Sequence, residues 1–375
     1  MSEVRYLQVD VFAERAGGGN PLGVVFGADT WSGDDMQRFA AWTNLVETTF
    51  VLAATKPEAS YRLCIFTPTK EIPFAGHPTV GSAHAALEIA RVVPREGMLL
   101  QECGAGLLPI RVEGEGVARR IYVQAPAAKI LREGADAALQ LILGTLPLGA
   151  LPPAFVEGGR RWWLAELANE ADLRGWQPDH AAIRDLAIAS DCLGLCVFAR
   201  AAREEKTGMP ARAAREEKTG MPARAAHEGK TGMPARAAHE EKTGMPARAA
   251  HEEKTGMPAR SAPEEDEGMP ARGSAGDAHA PYQLVVRAFP AGVGIVEDPA
   301  SGAANGLIAA YIAEREAAGE LARGYRVSQG REIGHDATIE VRIDERPDAA
   351  TAGAVWVGGR SWTVIEGVVA RRIAG

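Results

Sequence analysis

The sequence predicts an α+β protein of two similar domains, each a barrel-like, mostly antiparallel sheet wrapped around one central helix. Three observations predict it. First, His77-Pro-Thr-Val-Gly-Ser-Ala83 and Asp298-Pro-Ala-Ser-Gly-Ala-Ala304 match at an offset of 221 residues, and the runs beginning at Tyr61 and Tyr282 match in front of them. Second, each half holds runs of strands with one dominant helix, the pattern of a sheet closing over a helix. Third, the chain has 375 residues and is 46% hydrophobic, enough for two cores.

The elements follow in order. Val4 to Phe12 alternates as a strand does, Gly17-Gly-Gly-Asn-Pro21 is a loop, and Leu22 to Phe26 is a second strand. Asp34 to Thr43 is a short helix capped by Ser32 or Asp34, with Met36, Phe39 and Ala40 inward. Glu47 to Leu52 and Tyr61 to Phe66 are β-rich. Pro78 to Arg91 is the first long helix, with Pro in the first turn, where a missing N–H costs nothing. Leu107 to Val112 and Arg120 to Gln124 are strands. The most apolar stretch, 137–155, is broken by Gly144, Pro147, Gly149 and Pro152, and reads as strand or loop. Phe155 to Leu164 and Cys192 to Phe198 are strands around a helix near 179–189. Tyr282 to Phe289 is a strand and Ala300 to Ala317 the second long helix. Thr338 to Ile343, Ala354 to Val357 and Trp362 to Val369 complete the sheet. The expected domains are 1–125, joined by a last strand within 360–375, and 126–201 with 274–359.

Between 202 and 273 a 12-residue unit recurs six times, commonly Ala-His-Glu-Glu-Lys-Thr-Gly-Met-Pro-Ala-Arg-Ala. Met is its only large apolar residue, so it cannot bury enough surface to offset chain entropy. The array reads as a disordered insertion in a hairpin loop, either a tolerated duplication or a tether for a partner. His227, His239 and His251 lie 12 residues apart, which matches no compact metal site.

A net charge of −8 argues against nucleic acid or an anionic membrane as partner. Glu3, Asp10 and Glu14 leave no signal-peptide core, and Cys64, Cys103, Cys192 and Cys196 read as free thiols, so a cytoplasmic protein is expected. No phosphate loop, dinucleotide fingerprint or serine-nucleophile elbow is present, and nothing points to a metal or cofactor.

The chemistry gathers on three residues. Glu47 begins an apolar strand: it is either an exposed strand-edge carboxylate or an acid/base whose pKa burial raises. His77 and Asp298 stand before the two long helices. Asp298 reads alone as an N-cap and His77 as a loop residue, but their matched positions point to one shared site. The N–H groups of Gly76 to Val80 and Ala300 to Ala303 are candidate donors to a substrate carboxylate.

Five ordered motifs then carry a resemblance. Gly19-Asn-Pro21, Asn44-x-x-Glu47-Thr-Thr-Phe50, Gly76-His-Pro-Thr79, Glu297-Asp-Pro-Ala-Ser-Gly302 and Ser328-Gln-Gly330 together resemble the PhzF family of phenazine-biosynthesis-like proteins. The resemblance implies the diaminopimelate epimerase-like fold, a site in the cleft between the domains, a homodimer, and cofactor-independent isomerase chemistry on a small carboxylated substrate. The family's namesake isomerises trans-2,3-dihydro-3-hydroxyanthranilate. By resemblance Glu47 is the general acid/base and His77 and Asp298 complete the catalytic set. Asn20, Gly76, Pro78, Thr79, Ser301, Gly302 and Ala303 line the substrate. The chain departs from the pattern at Ala303, where the namesake type has Ser, and at His335, where Gly-Arg is common. A non-catalytic binding or scaffold protein on the same fold is the rival expectation.

Overall fold

The computed structural model describes residues 3–201, 282–317, 319–345 and 353–370. The repeat array lies outside them. The first half runs β1 (Arg5–Val11), β2 (Asn20–Phe26), α1 (Gly33–Thr43), β3 (Thr48–Leu52), β4 (Tyr61–Phe66), a short β5 (Glu71–Ile72), α2 (Gly76–Glu88), β6 (Met98–Cys103), β7 (Gly106–Glu113) and β8 (Arg120–Gln124). The second runs β9 (Lys129–Glu133), α3 (Ala137–Leu143), β10 (Ala154–Gly158), β11 (Arg160–Leu167), α4 (Glu170–Gly175), α5 (His180–Ala189), β12 (Gly194–Arg200), β13 (Leu284–Phe289), α6 (Gly302–Arg315), β14 (Gly324–Gln329), β15 (Ala337–Ile343) and β16 (Val355–Gly359). A final strand, β17 (Ser361–Val368), returns to pair with β1.

The duplication is plain in the pairing. The first half orders its strands β17-β1-β2-β3-β4-β6-β7-β8, the second β9-β10-β11-β12-β13-β14-β15-β16, and an antiparallel β8–β16 pair joins them. In both, the third and fifth neighbours are parallel (β2–β3 and β4–β6; β11–β12 and β13–β14) and the rest antiparallel. Each parallel step has helix in its crossover, as a parallel connection needs. The halves exchange their outermost strands, since β9 follows β8 directly and β17 follows β16. The strands flanking the array, β12 and β13, pair antiparallel out to Arg200 and Leu284, the two arms of a hairpin.

Both long helices are apolar on nearly every side, so they sit inside the sheet rather than on it. In α2 every residue from His77 to Ala86 is buried. A Cβ at Gly81 would lie 2.6 Å from side-chain atoms of both Val11 and Leu22, so its absence lets the helix seat on β1 and β2. In α6, Gly306 has the same relation to Ala125, at 2.8 Å.

Four sequence expectations need correction. The stretch 137–155 contains α3, because Asp136 caps it at Leu139 N–H and Leu139 and Leu143, one turn apart, are both buried. Phe155 to Leu164 is two strands, β10 and β11, turned at Gly159, which has a left-handed φ of 73°. Strands β5, β6, β9 and β14 and helix α4 were not expected; β9 is mostly exposed and has no buried face to betray it. The helices begin at Gly76 and Gly302, so the offset of 221 pairs Gly302 with Gly81, inside α2, rather than with its first residue. His77 therefore lies within the first turn of its helix, whereas Asp298 precedes the N-cap of the other, Ser301.

Candidate active site

The N-termini of α2 and α6 meet head to head. A Cβ placed at Gly76 would lie 3.5 Å from the Gly302 Cα, and one at Gly302 the same distance from the Gly76 Cα. Two positive helix ends thus converge where the halves join.

Glu47 is delivered to this point by the turn between α1 and β3. Asn44 ends α1 in the left-handed region at φ 53°, and the Glu47 carbonyl is taken by the Gly23 N–H. The residue is 8% exposed, which removes the exposed strand-edge reading. Its Oε2 is 3.4 Å from His77 Nε2. The angles do not make this a hydrogen bond, and both atoms are buried without one. Burial, then the charge of Asp298, pushes the Glu47 carboxyl up to about 8. Burial pulls His77 down to about 3, so at neutral pH the imidazole is uncharged. Glu47 and His77 therefore meet as neutral groups over most of the neutral range, not as an ion pair.

Asp298 is the fixed carboxylate. It is not the N-cap of α6; Ser301 is, accepting from Ala304 N–H. Asp298 Oδ1 accepts from Asn20 Nδ2 at 2.9 Å and from Ala300 N–H at 3.3 Å. Burial raises its pKa to about 6, against the lowering pull of those bonds. Asn20 also donates to the Ala300 carbonyl at 3.1 Å, so its amide is committed to the protein while its Oδ1 stays buried and unpartnered. Thr79 is buried and accepts from Gln101 at 3.2 Å. Pro78 is buried in the first turn of α2, where it removes an N–H that has no partner in the helix. Ser301 is buried under its cap bond and Ala303 is exposed at the tip of α6.

Sequence reasoning assigned no role to the groups that hold this set in place. Gln329 Oε1 accepts from Ser301 N–H and Asn305 Nδ2, and its Nε2 donates to the Asp298 carbonyl at 2.8 Å. Arg287 grips Glu297 with two bonds of 2.9 Å and donates to the Leu173 and Trp176 carbonyls. The available signals were an Arg inside the apolar strand β13 and a Glu ten residues later. The broader hollows, near Arg323 to Arg326 and beside the end of α6, lie away from this cluster. Among the described residues, no three His, Cys, Asp or Glu side chains gather as a metal site requires.

The model of the family described as "Phenazine biosynthesis-like protein" matches residues 9–215 and 251–367. The chain belongs to that family. The antisense-enhancing sequence 1 protein of Schizosaccharomyces pombe is 37% identical over 54% of this chain and 71% of its own length. The trans-2,3-dihydro-3-hydroxyanthranilate isomerase of Pseudomonas aeruginosa is 34% identical over 55% and 70%. The Bacillus anthracis phenazine biosynthesis protein of the PhzF family superposes with a TM-score of 0.68 at 20% identity, over 98% of this chain and 99% of that one, and shows the shared fold. The kinship supports an isomerase-type function. No helix among the described residues is long and apolar enough to cross a membrane.

Proposed function

We propose that the protein is a cofactor-independent isomerase of a small carboxylated metabolite in which Glu47 shuttles one proton. In its ionised form Glu47 takes a proton from a substrate carbon, the electron pair of the broken C–H bond stays on the substrate and moves along its π-system, and the carboxyl so formed, whose proton exchanges with solvent, gives a proton to form a C–H bond at another carbon. The carrying observation is the pair of unpartnered buried atoms, Glu47 Oε2 and His77 Nε2, 3.4 Å apart at the meeting of two helix N-termini. A carboxyl raised to about 8 is matched to proton transfer from carbon near neutral pH. The helix ends suit a substrate carboxylate and the negative charge that develops on deprotonation. His77, neutral, and Asp298, held by Asn20, complete the reacting set.

The relative from Pseudomonas aeruginosa supplies the first substrate to try. Trans-2,3-dihydro-3-hydroxyanthranilate in D₂O, followed by proton NMR, is expected to isomerise with deuterium entering carbon. Glu47→Gln should lower the rate by about 10²-fold or more while leaving the protein folded. Full activity in Glu47→Gln would end the proposal. Binding of the acid without proton exchange by the unaltered chain would favour a binding protein instead.

A further inference from the structure

The loop between β1 and β2 crosses from the first half to the second. Its near side rests on Asp10, a buried carboxylate whose Oδ2 accepts from Gly17 N–H at 2.7 Å and Gly19 N–H at 3.0 Å. Its far side meets the loop between β14 and β15. Asp336 N–H donates to the Gly18 carbonyl at 2.7 Å, and His335 Nδ1 lies 2.7 Å from the Gly19 carbonyl. A carbonyl only accepts, so Nδ1 carries the proton in either charge state of the ring. The next residue is Asn20, whose amide orients Asp298.

The second loop is built to present this ring. Gly330 has a left-handed φ of 89°, and a Cβ there would come within 2.6 Å of the Pro299 carbonyl and 3.0 Å of His335 Cβ. Arg331 Nε pairs with Asp336 at 2.7 Å. The contact from the first loop's own Arg15 to Asp336 is longer, at 3.8 Å, and open to solvent. The imidazole is half-buried and is the closer side-chain tie between the loops. His335 is also one of the two positions where the sequence departs from the family pattern.

We propose that His335 is a positioning residue: its Nδ1–H bond to Gly19 holds residues 17–20 against the second half, so that Asn20 fixes the orientation of Asp298. The bond does not depend on ring charge. The consequence for turnover rests on the reading of Asp298 as part of the reacting set; the consequence for the loop does not.

The test compares three variants of the full chain. His335→Asn keeps an N–H donor near the place of Nδ1, His335→Gln moves the amide to the place of Nε2, and His335→Ala removes it. Amide hydrogen exchange is measured at Gly17 and Gly19, which need no substrate. Loss of one hydrogen bond should speed exchange about tenfold in the Ala and Gln variants, and the Asn variant should stay near the unaltered protein. The kcat for isomerisation should fall in the same order, about tenfold for Ala and Gln, with KM little changed. Equal exchange in all four proteins overturns the proposal. So does an Asn variant that exchanges as fast as Ala, or a loosened loop with unchanged kcat. Inactivity of the unaltered protein would instead count against the isomerase reading and leave the exchange result to decide the loop.

Discussion

The two helix tips that meet at Gly76 and Gly302 come from the same duplicated plan, yet they are finished differently. The tip of α6 is tied down: Ser301 caps it, Gln329 braces Ser301 and Asn305, and Asp298 sits just before it, held by Asn20. The tip of α2 has Ala75 at its N-cap, no side-chain cap, and no acid in its first turn. One half therefore supplies a fixed carboxylate in front of its own helix end. The other leaves its positive end open beside a neutral imidazole and a proton-holding Glu47. The two ends share one plan, and a few different side chains leave one capped beside a held carboxylate and the other uncapped.

The sharpest way to break this arrangement is to remove the clamp behind Asp298. The Arg287 and Glu297 side chains are 5% and 4% exposed, and Arg287→Met leaves the carboxylate buried and unpaired. A loss of about 3–5 kcal/mol is expected in chemical denaturation. A loss under about 1 kcal/mol would mean that Glu297 readily finds water and that the clamp does not define the α6 tip.

A smaller effect is read from pH. Glu47 holds its proton to about 8 in the fold against an ordinary 4.5, so between those values the folded chain binds more protons than the unfolded one. Its stabilisation is fully present below 4.5 and is lost as pH rises through about 8. Asp298, raised from 3.8 to about 6, acts with the same sign over its own lower window. His77 runs the other way, contributing above 6.5 and losing that contribution as pH falls toward 3. In Glu47→Gln the decline in stability from pH 5 to 8 should shrink by on the order of 1–3 kcal/mol, as measured by urea melts across that range. An unchanged slope would show that the α2 side of the site is wetter than the buried carboxyl implies.

The smallest effects come from making the tips alike. Ser301→Ala should cost about 1 kcal/mol by stripping the cap from α6. Ala75→Ser should add up to about 1 kcal/mol by capping α2, and weaken the binding of a carboxylate substrate. Thermal melts with an inhibition assay using a simple carboxylate would check both. A capped α2 that binds anions unchanged would show that its free N–H groups are not the receiving site.

Much of the plan was legible in the residues. The paired motifs announced two related halves, and Ser32 announced the start of α1, where it forms a capping box with Asp35. Glu47, His77 and Asp298 were each recognisable as titratable groups beside apolar runs, and the structure brings them together. What misled was register. The motif offset aligned Gly81 with Gly302, because a Gly followed by small residues occurs at the start of α6 but in the middle of α2, where it serves packing against Val11 and Leu22. Strand β9 was silent because an exposed outer strand has little hydrophobic signature. Gln329 stood in a motif, but its role, like that of Asn305, was silent because an amide in a sequence does not reveal which backbone groups it will satisfy.

The sequence by itself determined the two-fold plan, four of the six described α-helices and most strands, and the residue types able to move a proton, because these rest on local periodicity, turn residues and side-chain chemistry. Only the tertiary structure decided which groups would be charged and which held. Desolvation raises Glu47 and lowers His77, bonds from Asn20 and His335 reach across hundreds of residues, and Gln329 reaches from the end of β14 to Asp298. Proton affinity and orientation depend on what surrounds a group in space, and that is set only when the two halves close on each other.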